Sequence, residues 1–161
     1  MEQIDLIREG RQMEVRGVHK SELEETINLY CLVFRPNGHA RYWQYVEGDC
    51  THQLDQTRVV VVNKRIVASL RIWERRMRIG SSIVAMGGIG GVCTHPDYRG
   101  LGYATVLMKN AIEYMRTANY DVGVLFSIIP GKFYGKLGWT PLSLEGFRIV
   151  SRRIDALKDT N

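Results

Sequence analysis

The stretch Val92-Cys93-Thr94-His95-Pro96-Asp97-Tyr98-Arg99-Gly100-Leu101-Gly102-Tyr103-Ala104 holds the residue types and spacing that could do chemistry. An apolar run ends, Pro96 breaks it, and a glycine-containing loop opens an amphipathic segment that continues to Ala118. Unpaired amides at a helix N-terminus, aided by the helix dipole, form an anion site. Gly100 and Gly102 have no side chain to keep a pyrophosphate off the backbone, and Arg99 adds charge nearby. Glycine is also the default turn residue, so a plain strand–turn–helix junction is a second reading of the same pair. No Gly-Lys-Ser/Thr follows, which excludes a Walker A loop, and the Gly-x-Gly-x-x-Gly spacing of a dinucleotide fold is absent.

Other reactive side chains carry less. Cys31, Cys50 and Cys93 are odd in number and lack metal-ligand spacing. Cys31 and Cys93 sit in apolar segments and read as small, unreactive buried residues. His95 precedes a proline and reads as a turn residue, and His19, His39 and His52 have no partner identifiable from sequence.

The elements that must position the loop can be traced along the chain. Glu14 to Val18 reads as a first strand, and Ser21 with Glu24 as a capping box. Leu23, Ile27, Tyr30, Cys31 and Phe34 recur at helical spacing until Arg35-Pro36-Asn37-Gly38 stops them. A second, shorter helix is expected over His39 to Glu47. Arg58 to Val62, a turn at Asn63-Lys64, and Ile66, Ala68, Leu70 and Ile72 alternating with more polar residues predict an antiparallel hairpin. After Gly80-Ser81 comes an apolar strand, Ile83 to Cys93, whose Gly87, Gly88, Gly90 and Gly91 mark a bulge or a close approach. Ala104, Leu107, Met108, Ala111, Met115 and Ala118 form a helical stripe, and Asp121 to Phe126 a short buried strand. Pro130 to Leu137 reads as a short helix capped by Gly138, and Phe147 to Val150 as a last strand. The predicted class is a mixed α+β fold with a mostly antiparallel sheet, about four helices, and one parallel crossover around Gly100 to Ala118.

A length of 161 residues at 45% hydrophobic content fits one domain, 1–161. The formal charge of +5 is spread out, and its tightest cluster, Arg71 to Arg78, is interrupted by Ile72, Trp73, Glu74 and Met77. Nucleic acid is therefore not the expected partner, whereas a polyanionic cofactor suits such a surface. The charged N-terminus lacks a signal-peptide core, and no apolar stretch is long enough to cross a bilayer, so a cytoplasmic protein with no membrane association is expected.

Arg99-x-x-Gly102-x-Ala104 matches the Q/R-x-x-G-x-G/A signature of the GNAT superfamily of N-acetyltransferases. Phe133-Tyr134-Gly135-Lys136-Leu137-Gly138-Trp139 resembles the family's F-Y-x-x-x-G-F/W element, in the right order and separated by a helix and a strand. The resemblance covers Ile83 to Pro141 by motif and the first eighty residues by element order. It implies a GNAT-like fold with splayed central strands and acetyl-CoA as cofactor. Val92, Cys93 and Thr94 would hold the pantetheine arm. The amides of Gly100, Leu101, Gly102, Tyr103, Ala104 and Thr105, with Arg99, would hold the pyrophosphate, and Phe133 would lie beside the cofactor. Tyr134 falls on the tyrosine that protonates the departing thiolate. Phenols titrate near ~10, so one can donate while staying protonated at neutral pH. Packing against Phe133 is the competing reading. Many members have an asparagine where Ser127 stands, so that cofactor hydrogen bond would be absent or altered.

Gly88 to Val92 and Lys132 to Trp139 look most like the catalytic module of Eis-like acetyltransferases, and Tyr120 to Val124 resembles aminoglycoside 2′-N-acetyltransferases more weakly. Both point to a small-molecule amine as acceptor. Glu74 is the candidate to take the amine proton through a water; its other reading is a surface carboxylate paired with Arg75, Arg76 or Arg78. Arg41, Tyr42, Trp43 and Tyr45 make an aromatic patch on the second helix, with Tyr42 and Trp43 the candidate acceptor contacts or ordinary packing residues. Glu47 and Asp49 are the acids nearby, too few for a highly charged aminoglycoside. A protein or peptide acetyltransferase and a non-catalytic acyl-CoA-binding module stay open, and family analogy adds a homodimer.

Overall fold

Val59 to Val62 are all buried, as is every residue from Ile66 to Ile72. Strands of that kind need cover on both faces, and helices supply it. The computed structural model describes residues 4–8, 11–128 and 131–142. The chain divides into two compact units, 1–129 and 130–161.

The first unit runs β1 (Ile4–Arg8), β2 (Arg11–Gly17), α1 (Leu23–Val33), α2 (His39–Glu47), β3 (Thr57–Val62), β4 (Arg65–Ile79), β5 (Ser82–Thr94), α3 (Tyr103–Thr117) and β6 (Val122–Leu125). Among the described residues the strands form one six-stranded sheet in chain order. Every neighbouring pair is antiparallel except β5 and β6, which are parallel and joined by the α3 crossover. This is the mixed, mostly antiparallel architecture expected. Asn63 and Lys64, at φ 48° and 65°, form the two-residue turn whose twist matches the β3–β4 hairpin. α1 packs over β4 and β5, and α3 over β3, β4 and β5. Leu107, Met108 and Ala111 of α3 are fully buried.

Several local expectations change. β1, which was not foreseen, pairs Ile4 with Val15 through Arg8 with Arg11. Five residues carry too little alternation to announce a strand, and its hydrogen-bonding partner is what defines it. The box expected at Ser21 and Glu24 lies two residues earlier: the His19 amide donates to Glu22 Oε2 at 2.9 Å. The Arg16 guanidinium grips both oxygens of Glu22, each at 2.8 Å, and holds its carboxyl below the usual range. Glu24 turns instead to His39 and Trp43, and helix α1 begins at Leu23. The alternation read into Ile66–Ile72 was misleading, because Ser69 and Arg71 are as buried as their apolar neighbours. Ser69 bonds the Tyr30 hydroxyl (3.0 Å) and the Arg58 carbonyl (3.2 Å), so its polarity is met indoors. β6 is half-buried rather than buried. Phe34 ends α1 half exposed.

Within the second unit the described helix is α4 (Lys132–Gly135). Gly138, at φ 87°, closes it as expected: its amide bonds the Gly135 carbonyl and the Trp139 amide bonds that of Tyr134. The strand expected at Phe147–Val150 lies outside the described residues.

Candidate functional site

The glycines of β5 have separate tasks. Ser69 pairs with Cys93 and Arg71 with Gly90, so Gly91 and Val92 together oppose Leu70, a bulge with Gly91 at φ 65°. A side chain at Gly91 would come within 3.2 Å of the Tyr30 ring, and one at Gly90 within 3.2 Å of Trp73 Nε1. At Gly87 it would strike Met115 Sδ on α3. Those glycines let two aromatic rings and a helix lie directly on the strand.

Among the described residues β6 pairs with β5 only from Met86 to Ile89, and from Gly90 to Thr94 β5 is bonded to β4 alone. Beyond Ile89, among the described residues, β5 and β6 therefore part. The His95 amide donates to the Val67 carbonyl, which turns the peptide groups of Cys93 toward β4 and those of Val92 and Thr94 toward the open side. The Cys93 thiol is buried, and burial pushes it up to about 12, which makes it inert as a nucleophile.

Past the strand, His95 caps a single turn at Pro96–Tyr98, its Nδ1 accepting from the Asp97 amide at 3.3 Å. It is a turn residue, as expected. Gly100 and Gly102 follow at φ 78° and 81°, the left-handed region where residues with a Cβ are strained. Gly102 begins α3, and its carbonyl takes the amides of Thr105 and Val106 at 3.0 and 3.2 Å. Among the described residues no acceptor takes the amides of Gly102, Tyr103 or Ala104, which lie at the positive end of a 15-residue helix. A Cβ at Gly100 would meet nothing within 4 Å, so the backbone there is open to a ligand. Arg99 is exposed at the same loop, its Nε 3.4 Å from the Thr94 carbonyl. The donors for an extended arm ending in a pyrophosphate are thus in sequence along β5 and the start of α3.

A cavity of about 160 Å³ opens under α1 and α2, with Gly90 and Gly91 of the bulge in its lining. Its walls are a run of rings: Tyr30 to Tyr42 at 5.5 Å, Tyr42 to Tyr45 at 6.2 Å, Tyr45 to Trp73 at 5.6 Å. The Arg71 guanidinium lies 3.8 Å over Trp73 and donates to Asp49 at 2.9 Å and to the Tyr45 carbonyl. Asp49 also accepts from Thr51 and Arg75; burial disfavours its charge, but these hydrogen bonds hold its carboxyl down at about 2. Two shallower depressions adjoin, one beside Asp49 and Arg75, the other between β5 and β6 at Met86, Val124 and Phe126, and Trp73 lines all three.

The candidates from sequence divide accordingly. Tyr42 lines the cavity; Trp43 does not, packing on the core with its indole nitrogen 3.2 Å from Glu24. Glu74 accepts from Gln56 and from the Tyr120 hydroxyl, each at 3.1 Å, and shares the α3 face of β4 with Ile72, opposite Arg71 and Trp73. It is not brought to the cavity, and among the described residues its side chain pairs with none of Arg75, Arg76 or Arg78. Ser127 is exposed beyond β6. In the second unit Tyr134 is buried and meets the Phe133 ring edge-on at 5.0 Å. Tyr30, Arg71 and Trp73 were not foreseen in the site. The available signal was an arginine inside an apolar run, Leu70-Arg71-Ile72-Trp73, which a buried, paired cation explains.

Residues 14–142 match the family model described as an acetyltransferase (GNAT) domain. No curated protein matches the chain. Among solved structures, a GCN5-related N-acetyltransferase from Kribbella flavida superposes with a TM-score of 0.69 at 24% identity, over 80% of this chain and 33% of that one. A Trypanosoma brucei acetyltransferase gives 0.65 at 21%, over 86% and 99%. An aminoglycoside N-acetyltransferase in complex with CoA gives 0.64 at 14%, over 92% and 99%. At these identities the structures establish a shared fold, and the chain spans a third of the Kribbella protein.

Proposed function

The chain belongs to the GNAT acetyltransferase family, and from that premise we propose that it is an acetyl-CoA-dependent enzyme moving an acetyl group directly to a primary amine of a small molecule. The observation that carries this reading is the path from the parted strand β5, through two left-handed glycines, onto the open amides of α3. Acetyl-CoA supplies an activated thioester. Val92 and Thr94 offer peptide groups to its pantetheine arm, and the amides of Gly102 to Ala104, with Arg99, offer positive potential to its pyrophosphate. An arm running back from that loop along β5 ends at Gly90 and Gly91, which line the aromatic cavity. A cavity of about 160 Å³ suits a small acceptor better than a peptide.

In this reading the amine nitrogen bonds to the acyl carbon, the carbon–sulfur bond breaks, and Tyr134 gives its phenolic proton to the departing sulfur. An apolar cavity beside Arg71 and Arg75 disfavours an ammonium, so the amine enters neutral without a carboxylate base, and the proton its nitrogen sheds on forming the amide passes through water to restore the Tyr134 phenol. Glu74 then serves to tie Tyr120 and Gln56 to β4. The test is thiol release from acetyl-CoA with an amine panel. Tyr134→Phe is expected to lower turnover about 100-fold while sparing acetyl-CoA affinity, and Glu74→Gln to stay within about threefold of wild type. Equal turnover in Tyr134→Phe would refute the acid assignment, and a large loss in Glu74→Gln would restore the carboxylate base.

The motifs at Gly88–Val92 and Lys132–Trp139 support an Eis-like affinity within the family. Three free cysteines support a reducing, cytoplasmic setting, and no described helix is long and apolar enough to cross a membrane. A homodimer is proposed from family analogy and is checked by sedimentation.

A further inference from the structure

We propose that the acceptor is a small monoamine with an aromatic or branched apolar body and an anionic group beside the amine, the class to which hydrophobic amino acids belong. The inference rests on the acyl-transfer reading above, because it places the reacting amine at Gly90 and Gly91. From that point the cavity offers an apolar body the faces of Tyr30, Tyr42 and Tyr45.

Charge decides the rest. Among the described residues, the linings of the three depressions that meet at Trp73 contain one carboxylate, Asp49, and two guanidinium groups, Arg71 and Arg75. The carboxylate is saturated: Arg71, Arg75 and Thr51 all donate to it. Arg71 is 5% exposed and its buried Nε has no hydrogen-bond partner, so this cation is short of acceptors. Arg75 stands at the rim, its side chain 44% exposed and its bonds to Asp49 long, at 3.3–3.4 Å. It lines both depressions that flank Trp73, within reach of an anion on a ligand whose body occupies the cavity. A second ammonium on the acceptor would meet two arginines and no free carboxylate, a like-charge arrangement that rejects polyamines and aminosugars.

The experiment compares L-phenylalanine, phenethylamine and spermidine as acceptors by thiol release, with binding of acetyl-CoA and of each amine measured separately by titration calorimetry. Phenylalanine is expected to exceed phenethylamine about tenfold or more in kcat/KM, the worth of one charged hydrogen bond, with spermidine at background. Arg75→Ala should bring phenylalanine down to the level of phenethylamine. Spermidine or phenethylamine matching phenylalanine, or acetyl-CoA binding without turnover of phenylalanine, would overturn the proposal. Absence of acetyl-CoA binding would instead defeat the acyl-transfer reading. Calorimetry then still decides the ligand class: selective binding of phenylalanine upholds it, and none overturns it.

Discussion

Asp49 and Arg71 lie 22 residues apart in sequence and 2.9 Å apart in the fold, and that pair sets the character of the cavity. Read along the chain, Asp49 was one of two acids available to greet a cationic acceptor. In the structure it is already committed to Arg71 and Arg75. A carboxyl held down at about 2 contributes stability above the ordinary aspartate range, near ~3.9, and loses it as pH falls through about 2. Unfolding measured between pH 5 and 2 is therefore expected to show stability falling with acid in wild type. The slope should be shallower in Asp49→Asn, which has no proton to gain there. Parallel curves would mean that Asp49 is not the group responsible. Tyr134 shows the opposite case: its motif was legible because aromatic and glycine residues recur at fixed spacing, whereas its partners could not be read from spacing.

At the scale of elements, the decisive junction is β5 to α3. The glycines of β5 were legible because glycine in an apolar strand contradicts propensity, and such contradictions mark constrained sites. Gly102→Val places a β-branched residue at φ 81° and a side chain among the open amides. The variant is expected to keep its circular dichroism spectrum and lose acetyl-CoA binding at least 100-fold, measured by calorimetry. Retained affinity would return the loop to an ordinary turn. Helix bounds were also readable: α2 falls on His39–Glu47 as expected, and α3 within one residue of its stripe. β1 and the displaced cap at His19–Glu22 were not, since a cross-strand partner and the Arg16 fork determine them.

For the whole molecule, a basic surface of formal charge +5 and a helix start with open amides suit one polyanionic ligand rather than a nucleic acid lattice. Saturating acetyl-CoA, at about 100 times its dissociation constant, is expected to add ~2.7 kcal/mol to stability. For a chain of this size that raises the melting temperature by roughly 5–10 °C. A melt with no shift would remove the cofactor assignment, while a shift lost in Gly102→Val would localise it.

What the sequence by itself determined is whatever depends on neighbours along the chain: the helices, the β3–β4 turn at Asn63-Lys64, the bulge glycines and the order of motifs. These follow from local backbone preference, which each residue carries with it. Tertiary structure alone decided which face of β4 each side chain serves, sending Glu74 toward α3 and Arg71 and Trp73 into the cavity. It also decided that Tyr42, not Trp43, reaches the cavity, and that Asp49, in the adjoining depression, is already paired. Those outcomes depend on which faces are covered and which charges meet, and both are set by packing between residues far apart in the chain.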